Sequence, residues 1–202
     1  MTDLYQMILF DLGGVVIELG SSPSWHEGGE MLDPSETWER WLSSSAVRGF
    51  ESGLLGVERF AREVVDELGL RITPEEFALE FSLWPKGLYP GVRELLAEVR
   101  RSKPIGCLSN CNELHWPRFM EEMKLVDLFD VCFSSHELGA VKPDREVFER
   151  VVRILDCEPD DLLFLDDNVL NVEGARSLGL HARQVRGPDG IRAVLSELGV
   201  IV

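Results

Sequence analysis

The segment Met7-Ile8-Leu9-Phe10 is apolar at every position, ends on Asp11, and runs on into Leu12-Gly13-Gly14-Val15-Val16. A strand with apolar side chains at consecutive positions has no polar face to offer water. It must be covered on both sides, as the strands of parallel sheets are. An ionised carboxylate at the end of such a strand is costly to bury without a partner or a cation. The glycine pair lets the backbone turn sharply and lets a ligand approach closely. In open parallel sheets, ligands bind at the carboxyl ends of strands. Taken alone, Asp-x-Gly-Gly reads equally well as a plain strand end followed by a turn.

Two more segments repeat the pattern. Pro104-Ile105-Gly106-Cys107-Leu108 ends on Ser109-Asn110, and Leu162-Leu163-Phe164-Leu165 ends on Asp166-Asp167-Asn168. Between them, Val141-Lys142-Pro143 places a lysine just before a helix start. Strands are predicted at 7–11, 104–109, 130–134, 162–166 and 181–185, and helices at 90–101, 113–123, 143–155, 169–178 and 188–198. Val147, Phe148, Val151 and Leu155 share one face of the helix at 143–155. Regular alternation of strand and helix implies βαβ units. The expected fold class is α/β, with a Rossmann-like, doubly wound parallel sheet as its core.

Residues 17–87 interrupt this alternation and read as almost wholly helical. Asp33-Pro34-Ser35-Glu36 offers an N-cap, a proline at the first helical position and a capping-box glutamate. Phe60, Val64 and Leu68 recur at helical spacing, and Thr73-Pro74-Glu75-Glu76 opens a further helix carrying Phe77 and Phe81. The block follows the first strand directly, so it is an insertion: core residues 1–16 and 88–202, with an inserted α-helical cap domain at 17–87.

The 202 residues carry a net charge of -16, which argues against nucleic-acid binding, since neutralising phosphates needs a basic surface. No apolar run approaches the ~18 residues of a membrane span. Met1-Thr2-Asp3-Leu4-Tyr5 lacks the basic region of a signal peptide. Cys107, Cys111, Cys132 and Cys157 follow no metal-site spacing. They are read as free thiols of a cytoplasmic protein. The chain is expected as a monomer or homodimer.

In chain order, these groups run acid, hydroxyl, lysine, acid pair. This set resembles the haloacid dehalogenase superfamily of hydrolases, with its four motifs at Asp11–Val15, Ser109-Asn110, Lys142-Pro143 and Asp166-Asp167. Alone, each motif is an ordinary turn, surface lysine or helix cap; the ordered set is specific. Phe50-Glu51-Ser52-Gly53 and Asp166-Asp167-Asn168 through Gly174-Ala175 resemble the sugar-phosphatase-like branch near the glucose-1-phosphate phosphatases. The resemblance implies phosphoryl transfer to a carboxylate nucleophile, Asp11, on a small phosphorylated metabolite such as a sugar phosphate. Three acids held together repel unless a cation bridges them, and oxygen ligands select Mg²⁺. By resemblance, Asp11, Asp167 and the Gly13 carbonyl bind the metal, and Asp166 does so directly or through water. Ser109 and the Asn110 N–H hold a phosphate oxygen, Lys142 offsets charge, and Asn171 has a supporting role. His115 and His136 are read as packing or surface residues.

One position departs from the pattern. Most phosphatases of the superfamily carry a second aspartate two residues after the nucleophile, as proton donor and then base, and here that position is Gly13. General acid–base catalysis contributes about 10²–10⁴ in rate. The chain is therefore expected to be slow, to be inactive, or to use another acid, with Glu18, His26 and the cap residue Glu51 as candidates. Members of the resembled branch that carry this glycine are described as phosphatases. The alternatives are a slow or inactive protein that binds a phosphorylated ligand or partner and, less favoured, a 2-haloacid dehalogenase or a phosphomutase. Substrate choice is expected from Arg48, Glu51 and the aromatics Trp25, Trp38, Trp41 and Phe50. For the tryptophans, the core of the insertion itself is the favoured reading.

Overall fold

A computed structural model describes residues 5–20 and 34–201. Its main sheet has five parallel strands: β1 (Met7–Phe10), β4 (Ile105–Ser109), β5 (Val131–Ser134), β6 (Leu162–Asp166) and β7 (His181–Gln184). Their spatial order is β5-β4-β1-β6-β7. From β1 the chain builds outward through β4 and β5, then returns to add β6 and β7 on the other side. The strand order therefore reverses beside β1, which is where an open α/β sheet forms a crevice.

Successive side chains of a strand enter opposite faces, and both faces are covered. Ile8, Phe10, Ile105, Cys107, Leu163 and Leu165 belong to one buried cluster, with Val92, Leu96, Ile191 and Leu195. Leu9, Leu108, Leu162 and Phe164 belong to the other, with Val147, Phe148, Val151 and Val172. Helices α5 (Val92–Arg100) and α11 (Gly187–Glu197) pack on the first face, and α9 (Arg145–Leu155) and α10 (Val169–Leu178) on the second. Two-sided burial is the reason the strands read as unbroken apolar runs.

Four helices fill residues 34–82: α1 (Pro34–Ser43), α2 (Ser45–Glu51), α3 (Val57–Leu68) and α4 (Pro74–Ser82). Thr73 caps α4 with the expected box: its side chain accepts from the Glu76 N–H, and the Glu76 side chain accepts from the Thr73 N–H. Asp33, the expected cap of α1, lies outside the described residues. These helices have their own core of Trp41, Val47, Phe50, Phe60, Val64, Leu68, Phe77 and Phe81. Phe50 and Phe60 stack with centroids 4.0 Å apart.

The almost wholly helical expectation for 17–87 is corrected at both ends. Residues Ile17–Leu19 (β2) and Pro85–Leu88 (β3) form an antiparallel two-stranded ribbon. The chain leaves the sheet and returns to it side by side, so the two passing backbones satisfy each other's hydrogen bonds. Strands this short carry too few residues to display a period of two. The helix expected at 113–123 is shorter, α6 (Trp116–Glu121), and is followed by α7 (Leu125–Leu128); α8 (Ser135–Leu138) follows β5 directly.

Candidate active site

Parallel register puts Phe10 opposite Leu165, so the next residues, Asp11 and Asp166, emerge side by side at the crevice. The Asp11 N–H donates to the Leu165 carbonyl at 2.8 Å and holds this alignment. Lys142 bridges the two acids. Its ammonium donates to Asp11 Oδ1 at 2.6 Å, to Asp166 Oδ2 at 2.7 Å and to the Leu108 carbonyl at 3.0 Å, so all three N–H groups are used. The lysine is itself fixed by Asn110, whose Oδ1 accepts from the Lys142 N–H at 2.8 Å and whose Nδ2 donates to the Lys142 carbonyl at 2.9 Å. Asp166 is wholly buried; it also accepts from the Asn168 N–H at 2.8 Å and from Asn171 Nδ2.

The electrostatics follow from burial. Desolvation pushes the Asp11 carboxyl well above the ordinary aspartate range; Lys142 opposes this, while Asp166 and Asp167 reinforce it. Burial works against the Lys142 charge, but Asp11 and Asp166 outweigh it and hold the ammonium above the ordinary lysine range. Asp167 is raised by burial and by Asp166, with Arg186 opposing. Carboxylate oxygens of Asp11, Asp166 and Asp167 all lie within 4.8 Å of one another. Three buried or half-buried acids thus face one buried ammonium. An all-oxygen donor set with surplus negative charge fits a hard divalent cation.

Asp11, Ser109, Asn110, Lys142 and Asp167 open into one cavity of about 280 Å³. Its far wall comes from the helical insertion and the ribbon: Leu19, Trp41, Arg48, Glu51, Phe81 and Trp84. Arg48 and Glu51, three residues apart on α2, share one face of that helix. Val47 and Phe50, on the neighbouring face, are buried in the insertion core. Burial, opposed by Lys142 and Arg48, pushes the Glu51 carboxyl up to about 7.

Residues 5–179 match the haloacid dehalogenase-like hydrolase family. The chain belongs to that family. Over 175 residues, the hydrolase is 33% identical to Phosphatase MT3486 of Mycobacterium tuberculosis, a match covering 82% of this chain and 79% of the relative. It is 25% identical over 185 residues to D-ribitol-5-phosphate phosphatase of Bacteroides thetaiotaomicron, covering 88% and 90%. Its fold is that of a haloacid dehalogenase family enzyme of Bacteroides thetaiotaomicron solved with magnesium and inorganic phosphate, with a TM-score of 0.72 and 21% identity over 90% of this chain and 94% of that one.

Within the hydrolase, the expected site residues Asp11, Gly13, Ser109, Asn110, Lys142, Asp166 and Asp167 gather at one end of the sheet. Asn171 reaches Asp166, as a supporting residue would. Expectations for the insertion divide. Arg48, Glu51 and Trp41 line the cavity, but Phe50 is corrected: it stacks on Phe60 inside the insertion core. Trp25, His26 and the Trp38 side chain lie outside the described residues. Glu18 faces away, paired with Lys86 at 2.8 Å on the outside of the ribbon. Phe81, Trp84, Asn112, His115 and Phe119 line the cavity without having been singled out for it. They come from segments whose proximity no local pattern records. Among the described residues, no helix is long and apolar enough to cross a membrane.

Proposed function

We propose that this hydrolase is a Mg²⁺-dependent phosphatase that cleaves a small phosphomonoester through an aspartyl-phosphate on Asp11. The observation that carries the reading is the junction of Asp11, Lys142 and Asp166 at the floor of the cavity. The names of the two relatives above support it, and a sugar or polyol phosphate is the first substrate class to test. In this reading residues 17–87 act as a cap over a core of 1–16 and 88–202, and keep water from the reacting groups.

The Asp11 carboxylate attacks phosphorus as the bond to the leaving oxygen breaks. Lys142 balances charge on the nucleophile and on the transferring group. Ser109 and the Asn110 N–H bind a phosphate oxygen. Water then cleaves the acyl-phosphate and restores Asp11. Asp11, Asp167 and the Gly13 carbonyl would hold Mg²⁺ directly. Asp166, whose oxygens already accept from Lys142, Asn168 and Asn171, would do so through water. The bound ion supplies positive charge to the phosphate oxygens.

The test is phosphate release from a panel of sugar, polyol and other small phosphomonoesters, with and without Mg²⁺, for wild type and Asp11→Asn. Release that needs Mg²⁺ and Asp11, with a phosphorylated protein seen by intact mass, is the expected result. The side-chain-free Gly13 supports a second reading, a protein that binds phosphorylated ligands without turnover. Mg²⁺ binding with no release from any ester would favour that one.

A further inference from the structure

A phosphomonoester with an alcohol leaving group needs a proton at the departing oxygen, and Gly13 has no side chain to deliver it. The described residues lining the cavity offer few groups able to do so. His115 is committed at both nitrogens: Nε2–H donates to the Phe81 carbonyl at 2.7 Å, so Nδ1 is left to accept from Asn112 Nδ2 at 3.3 Å. The amide orientation that requires is set by Asn112 Oδ1, which accepts from the N–H groups of Leu114 and His115. The Cys111 thiol is buried, and that burial pushes its ionisation far up. Lys142 spends its three protons on Asp11, Asp166 and Leu108. Arg48 is bonded to Asp144, and a guanidinium does not give up its proton.

Glu51 remains. Among the described residues its carboxylate makes no hydrogen bond, and it lines the cavity that Asp11 floors. The backbone around it is pinned to the core. The Ser135 hydroxyl accepts from the Cys111 N–H at 2.9 Å and donates to the Glu51 carbonyl at 2.5 Å. Two residues on, Gly53 packs directly against His136.

Resting on the phosphatase reading, we propose that Glu51 is the acid and base that Gly13 lacks, delivered to the core from the insertion. In the first half-reaction an Asp11 oxygen bonds to phosphorus, the bond to the leaving oxygen breaks, and the Glu51 proton passes to that oxygen to give the alcohol. In the second, Glu51 takes a proton from the attacking water as the water oxygen bonds to phosphorus. The acyl-phosphate bond then breaks, releasing inorganic phosphate and an Asp11 carboxylate, and Glu51 is again protonated. Every proton is accounted for, and no further reactant is needed. Seating of α2 against Ser135 thereby becomes a condition for chemistry.

The experiment compares Glu51→Gln with wild type on two esters: a polyol phosphate, whose alkoxide must be protonated, and dinitrophenyl phosphate, whose phenolate leaves without a proton. The readout is kcat/KM, which reports the first half-reaction. The expected result is a loss of about 10²–10⁴ on the polyol ester, with a far smaller loss on the aryl ester and a burst of dinitrophenol as the acyl-phosphate accumulates. Equal losses on both esters would mean a structural role and overturn the assignment, as would no loss on either. Wild type inert towards both esters would instead sink the phosphatase reading and this assignment with it.

Discussion

Gly53 sits so close to His136 that a Cβ on it would lie 2.5 Å from the His136 carbonyl oxygen. It also holds φ at +72°, which side-chain-bearing residues rarely adopt. The contact joins the end of α2 to α8, directly after β5, beside the Ser135–Glu51 hydrogen bond. Gly53→Ala should therefore strain the backbone by about 1–3 kcal/mol and push Glu51 off its position. The expected outcome is a lowered melting temperature with a fall in kcat/KM on alkyl phosphates larger than on aryl phosphates. An alanine variant with wild-type melting and kinetics would show that this contact does not place Glu51.

Lys142 is 3% exposed and serves two buried acids. Removing one partner of a buried ion pair leaves uncompensated charge, typically costing about 3–5 kcal/mol. Lys142→Met should lose stability on that scale in denaturant unfolding near neutral pH without divalent ions. The deficit should shrink in acid, where the raised Asp11 carboxyl takes up its proton. A deficit independent of pH would mean that lost packing, not charge, dominates.

Gly14 holds φ at +71°, and a Cβ there would come within 2.4 Å of Asp167 Oδ2. Gly14→Ala should displace that carboxylate. Residues that support a metal ligand commonly govern about 10–100-fold in affinity, and a loss of that order in Mg²⁺ affinity is expected. Calorimetric titration, or the Mg²⁺ dependence of phosphate release, measures it. Unchanged affinity would remove Asp167 from the metal site.

The Glu51 carboxyl stands at about 7, raised from an ordinary 4.5 by burial against the opposing pull of Lys142 and Arg48. The folded protein therefore holds this proton more tightly than the unfolded chain does. The resulting stability is fully present below about 4.5 and is lost as pH rises through about 7. With divalent ions chelated, the stability of wild type relative to Glu51→Gln should fall across that window. A flat difference would mean that Glu51 is solvated and ionised in the fold.

The apolar runs before Asp11, Ser109 and Asp166 made the parallel sheet legible, because two-sided burial leaves a strand no polar face. The polar groups at the strand ends were legible for the same reason: Asp11 and Asp166 stand out as charges where the chain is otherwise dry, while Lys142 marks the turn before α9. Helix α4 could be read from Thr73 and Glu76, whose capping is local. Sequence also offered Glu18, His26 and Glu51 as candidates for the missing acid, and only the tertiary structure separated the two that are described. Glu18 turns outward to Lys86, while Glu51 is carried into the cavity by α2. Phe50 and Trp41 both pack in the insertion core, and of the two only Trp41 also reaches the cavity wall. Local periodicity reports that a side chain is buried but not what buries it. That depends on how the insertion seats on the sheet, through contacts such as Ser135 to Glu51 and His115 to Phe81 between residues far apart in the chain.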